Sequence, residues 1–230
     1  MNIVTTLIAV ALLFAALPAC TSSFAATVAD DMSAAQLLAA SQDAAQQAQA
    51  AAGRKPKADK KDWASVGREY AERCIALTPD NAECYYWRAV NIGLYHQIKV
   101  LGYQKGIKQM IADCDKVIAL GRETYDNAGA YRIPGEIYTQ LPETTGHPDG
   151  ITRDLEKGEQ LLRHAITLAP GYPENRLALA QNLFMQDRFD EAFDELMLAK
   201  EQAPKFRIDS SYGDWQKSIA SLMKKLGKKK

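Results

Sequence analysis

The residues with chemistry to offer are few and scattered. Histidine occurs at His96, His147 and His164, and no pair has the spacing that would set two metal ligands on one helical face. His147 shares a loop-like stretch with Glu143 and Asp149. That trio reads either as a cation site or, more simply, as a polar loop. His164 adjoins Ala165 at a helix edge and reads as a surface residue. No serine or cysteine stands in a local signature of a nucleophile. The expectation is a protein that is not an enzyme and that has no metal and no cofactor. Cys74 and Cys84 fall in the last turn of one predicted helix and the first turn of the next, on either side of Pro79. Antiparallel packing brings such positions near each other, and a bridge needs Cα atoms within about 7 Å. The alternative is two small buried residues, because free cysteine packs like a small hydrophobe. Cys114 is left over and reads as buried.

Aromatic residues crowd the middle of the chain: Tyr85, Tyr86, Tyr95, Tyr103, Tyr125, Tyr131 and Tyr138, with Trp87 among them. Tyr85, Tyr131 and Tyr138 read as rings packed between helices. The others are candidates for a ligand surface, since a tyrosine offers apolar area and a hydroxyl at little entropic cost.

The elements that position these residues follow from composition. With 230 residues and 47% apolar content the chain can bury one sizeable core. Its 28 basic and 28 acidic side chains cancel, so no global field favours nucleic acid. Glycine motifs that cradle phosphate are absent, as is any internal run long enough to span a membrane. The first 20 residues, MNIVTTLIAVALLFAALPAC, form an apolar run ending in small residues, as in a signal peptide, although no Lys or Arg precedes it. Leu17-Pro18-Ala19-Cys20 resembles a bacterial lipobox, which implies acylation of Cys20, a lipid anchor and an exported, periplasmic protein. Ordinary signal cleavage near Ser23-Phe24-Ala25 is the alternative.

Residues 21–61 are expected to hold an Ala/Gln-rich stalk or loosely docked helix, capped by Ser33 and running through Gln47, and then a basic loop, Arg54–Lys61. Between residues 62 and 204 helical patterns recur, each second helix carrying two small residues seven apart and then a proline. Gly67, Cys74 and Pro79 form one set, with Asp62 as the expected cap. Gly158, Ala165 and Pro170 form another, and Ala192, Ala199 and Pro204 a third. Small residues permit close helix approach, and proline ends the unit. The first helices carry Tyr85, Ala89 and Ile92, then Tyr131, Gly135 and Tyr138, then Arg176, Ala180 and Leu183. A helix from near Gln104 to Leu120 follows a break at Gly102. Another is expected over Asp126–Tyr138, with Pro134 bending it or restricting its start. Thr139–Asp154, with two prolines and two glycines, interrupts the pattern as an insertion between two helices. Residues 205–230 read as a loop, a capping helix with Trp215, Ile219 and Leu222 on one face, and a lysine tail.

Gly171–Pro204, with Leu179-Ala180, Leu183, Ala192, Leu196, Ala199 and Pro204 in that order, resembles the tetratricopeptide repeat. The fold class expected is therefore all-α, a solenoid of helical hairpins with a C-terminal capping helix. The wider order of YYWRAVNIG, YRIPGEIY, the Pro/Gly insertion and LRHAITLAPGYPENRLALA resembles the TatT family of tetratricopeptide lipoproteins associated with TRAP transporters. That resemblance covers roughly residues 62–204. It implies partnership with a periplasmic solute-binding protein, homo-oligomers, and a passage for an apolar or organic-acid ligand. A general adaptor for other envelope proteins is the alternative. In such repeats the first helices line the concave face. The corresponding positions here are Tyr86, Val90 and Leu94, then Arg132, Glu136 and Gln140, then Leu177, Gln181, Phe184 and Met185. Arg132 is expected either to grip a ligand carboxylate in bidentate fashion or to pair with Glu136 one turn on.

Overall fold

A computed structural model describes residues 31–51, 55–99, 101–146 and 148–229. Cys20 and the signal-like segment lie outside the described residues, as does His147. All regular structure among the described residues is helical: α1 (Ala34–Ala50), α2 (Pro56–Leu77), α3 (Ala82–His96), α4 (Tyr103–Ala119), α5 (Tyr125–Gln140), α6 (Leu155–Leu168), α7 (Pro173–Met185), α8 (Phe189–Gln202) and α9 (Tyr212–Leu226). A 3-10 turn over Ala203–Phe206 precedes α9. Consecutive helices pair as hairpins, and the odd-numbered helices also pack on one another in sequence, α1 on α3 through to α7 on α9. The result is a two-layer all-α solenoid with the odd helices inside. No helix among the described residues is long and apolar enough to cross a membrane.

The small residues pack where their spacing suggests. Gly67, Ala71 and Cys74 are buried on α2, Gly158, Leu162 and Ala165 on α6, and Ala192, Leu196 and Ala199 on α8. Trp215, Ile219, Leu222 and Leu226 form the buried face of α9 and close the stack. Cys74 and Cys84 are joined as a disulfide with Cα atoms 5.8 Å apart, while Cys114 is free and buried.

Three expectations change at the N-terminal end and in the centre. Helix α1 is docked from its first turns, with Leu37 fully buried against Cys74 and Cys84. Its Ser33 forms a capping box with Gln36. The basic stretch is mostly helix, because Pro56 supplies a pre-set φ for the first position of α2, so Asp62 lies inside that helix rather than capping it. In α5, Asp126, Asn127 and Ala128 have left-handed φ values of 46°, 54° and 65°, and regular helical geometry begins only at Gly129. Asp and Asn tolerate that region; alanine enters it at a cost. A Cβ at Gly129 would stand 2.2 Å from the Tyr86 hydroxyl, so the close approach of α5 to α3 requires glycine there.

Two joints between repeats share a polar device. Asn91 on α3 is fully buried and donates to the Ser41 carbonyl at 3.2 Å and the Ser41 hydroxyl at 3.1 Å on α1, next to Gly67 of α2. Asn182 on α7 is likewise buried and donates to the Thr139 hydroxyl of α5 at 2.8 Å, next to Gly158 of α6. A Cβ at Gly67 or Gly158 would fall 2.2 Å or 2.8 Å from the respective asparagine side chain. A hydroxyl, a glycine and an asparagine on three successive helices thus recur at equivalent places. The joint between them, α3–α4–α5, has Ile137 at the asparagine position, two residues after Gly135 as Asn182 is two after Ala180. Of the successive inner helices, α3 and α5 pack least closely.

Candidate functional site

A cavity of about 540 Å³ occupies the space left between α3 and α5. Its apolar walls include Val90, Ile107, Met110, Ile133 and Ile137. Near Glu136 and Glu174 it meets a second cavity of about 410 Å³, which extends along α7 to α9. The second chamber is walled from both ends of the chain: Gln46, Gln49 and Lys60 from the first hairpin, Asp214, Trp215 and Ser218 from α9. Burial lowers the pKa of the Lys60 ammonium, with the Asp214 carboxylate opposing that shift across the chamber.

The α3–α5 space is pinned at one end. The Tyr86 hydroxyl donates to Asp126, and the Trp87 indole N–H donates to the Tyr125 hydroxyl at 2.9 Å. Arg132 lies beneath this contact and is only 5% exposed. Its guanidinium donates to Asp126 Oδ2 at 3.0 Å, to the Asp126 carbonyl at 3.3 Å and to Asn175 Oδ1 at 3.2 Å. Glu174 stands 3.5 Å from its Nε, and the Tyr172 ring lies 5.1 Å away. The carboxylates hold the Arg132 guanidinium firmly charged against the cost of its burial. The left-handed turn at 126–128 is what brings Asp126 back to Arg132. The expected partner Glu136 is not among its ion pairs, and its donors are already engaged within the chain. Arg132 is therefore an internal tie between α3, α5 and α7 rather than a free clamp for a carboxylate.

Glu136 faces the cavity without a hydrogen bond or ion pair among the described residues. Burial and the nearby Glu174 carboxylate raise its pKa to about 7, against the pull of Arg132. It is half-buried because it looks into enclosed space rather than bulk solvent. Of the Asp, Glu, Lys and Arg side chains on the larger cavity, four are acidic, Asp126, Glu136, Glu174 and Asp209, and Arg132 alone is basic.

Tyr86, Val90, Leu94, Arg132, Glu136 and Gln140 all line the larger cavity, and Leu177 and Gln181 line the second. Phe184 and Met185 line neither. They occupy the last turn of α7, where Phe184 packs on the C-terminal core with its ring 5.6 Å from that of Phe189. Sequence reasoning missed Gln46 and Gln49, because α1 carries no repeat signature, and Tyr172, Glu174, Ser210 and Ser211, which sit at helix starts and in a loop. Tyr172 and Glu174 flank Pro173, and that proline is the one signal that marked them as a helix entry.

Around the site, Gln104 clasps the insertion, donating to the Ile151 carbonyl at 2.9 Å and accepting from the Ile151 N–H at 2.8 Å. Glu143 pairs with Arg153 at 3.0 Å, and exposed His164 stacks edge-on against Tyr131. Among the described residues no group of three His, Cys, Asp or Glu side chains is placed to hold a metal ion.

Residues 152–212, which span α6 to the start of α9, match the tetratricopeptide repeat family. The C-terminal repeats are of tetratricopeptide type. Repeats of this kind are typically protein-interaction scaffolds rather than catalysts. Comparison with curated proteins gives no match.

Proposed function

We propose that this chain is a non-enzymatic tetratricopeptide scaffold of the bacterial envelope that handles a small molecule with an apolar body. Its partner is the periplasmic solute-binding subunit of a TRAP-type transporter, and its anchor is acylated Cys20. The observation that carries the ligand-handling part is the 540 Å³ cavity, which opens at the joint lying between the two that carry the asparagine contact. Support for the anchor comes from Leu17–Cys20, and support for the transporter partner comes from the order of helical motifs around the Pro/Gly insertion. A plain adaptor repeat would need a groove but no pocket driven between two of its inner helices.

The test is purification from native membranes with the anchor intact. Co-recovery of a solute-binding protein is the expected result. Recovery of outer-membrane or cell-wall machinery instead would replace the transporter partner with a general envelope adaptor. Cys20→Ala is expected to release the protein from membranes or leave it unprocessed, and a wild-type protein found wholly in the soluble fraction would remove the anchor from the proposal.

A further inference from the structure

The resemblance noted in the sequence implies an apolar or organic-acid ligand, but the charge of the cavity has the opposite sense. A carboxylate entering it would meet Glu136 and Glu174 where the two chambers join, with Asp126 and Asp209 on the same wall. The one guanidinium is already engaged by Asp126, Glu174 and Asn175. An incoming cation meets the reverse situation. Glu136 is an acceptor with no partner, Gln140 lies one turn on from it, and Gln46 and Gln49 bring further amide oxygens from α1. Beyond the carboxylates the walls turn apolar, so a charged head would be held at Glu136 with its body directed between α3 and α5.

Resting on the reading of this cavity as a ligand site, we propose that it binds an organic ammonium ion: the N–H donors meet Glu136 and Glu174, and the apolar body lies between Val90, Ile107, Ile133 and Ile137. Attraction between an ammonium and two carboxylates is strong where water is excluded, and an ammonium satisfies acceptors that a carboxylate ligand would leave repelling one another. The apolar slot rejects small inorganic cations, which would keep their hydration shells.

Three matched probes with one indole body separate the claims: tryptamine carries the ammonium, indole-3-propionate the carboxylate, and tryptophol neither charge. Titration calorimetry on the full chain at about pH 8, where Glu136 is ionised, is expected to give tryptamine at least about tenfold tighter binding than indole-3-propionate, with tryptophol between them. Glu136→Gln combined with Glu174→Gln should bring tryptamine to the level of tryptophol. Val90→Trp, which fills the slot and leaves both carboxylates in place, should abolish binding of all three. If indole-3-propionate binds as tightly as tryptamine, or if the double variant keeps the preference, the ammonium assignment falls while the cavity remains a ligand site. If none of the three binds, the small-molecule reading itself falls with it.

Discussion

The two asparagine joints of this solenoid and the joint between them solve the same packing problem with different chemistry. At α1–α2–α3 and α5–α6–α7 a buried asparagine reaches a hydroxyl beside a glycine. The buried amide N–H groups have to find acceptors, so the helices are held at hydrogen-bond distance. At α3–α4–α5 Ile137 stands where the asparagine would, and nothing polar draws the middle of α5 onto α3. The contact there is made at one end, by Tyr86, Trp87, Tyr125, Asp126 and Arg132. Closing the joints on either side and leaving the one between them hinged open is how a regular repeat acquires a pocket.

The largest effect should come from removing the pin. Arg132→Ala leaves the carboxylates of Asp126 and Glu174 without their counter-charge, and the expected loss is about 3–5 kcal/mol in chemical denaturation. A loss below about 1 kcal/mol would mean that the central joint is held by its aromatic contacts alone.

Next come alanine substitutions of glycine, which set the joints against each other directly. Gly67→Ala and Gly158→Ala drive a Cβ into the asparagine contacts and should cost about 2–3 kcal/mol each. Gly93→Ala lies in the central slot, where its Cβ would meet only the flexible end of Met110 at 3.0 Å. It should change stability by less than about 1 kcal/mol, since alanine favours the helix. Equal costs at all three positions would erase the distinction between the joints.

The pH dependence is specific to the open joint. Glu136 has a folded pKa raised to about 7 from 4.5, so it contributes stability below its unfolded pKa that is lost as pH rises through the folded one. The groups facing it are Arg132, Glu174 and Asp209, with Lys60 and Asp214 further along the second chamber. Empty protein should lose roughly 2–3 kcal/mol between about pH 4.5 and 7 through this group, and Glu136→Gln should flatten that part of the profile. An unchanged profile in the variant would place the carboxylate in ordinary solvent. Smallest is reduction of the Cys74–Cys84 bridge, expected to cost about 2 kcal/mol because its loop is short. In unfolded, unreduced protein those two cysteines should resist thiol reagents and Cys114 should react.

Much of this fold is written in small residues. The spacing of Gly67 and Cys74, of Gly158 and Ala165, and of Ala192 and Ala199, each pair followed by proline, is enough to announce tightly packed second helices. The first-helix positions on α3 and α5 likewise lead to the cavity, because repeat register fixes which face points inward. Register does not say where the wall ends, so it extends the lining to Phe184 and Met185, although α7 leaves the cavity one turn earlier. Nor does spacing reveal the partners of Arg132. Asp126 reaches it only through a left-handed turn that no helical wheel contains, and Glu174 arrives from another repeat. The role of α1 is illegible for a different reason: beyond Leu37 its buried contacts are made by alanines and a serine, which pack closely without leaving an amphipathic pattern.

The second chamber has walls from both the first hairpin and α9. In an open array the length is negotiable: a unit can be gained or lost and the surface merely grows or shrinks. Here an extra hairpin would carry Asp214 and Trp215 away from Gln46 and Lys60, and a missing one would leave the vessel without a side. The number of repeats is thus a dimension of the container, under the same constraint as the side chains that line it.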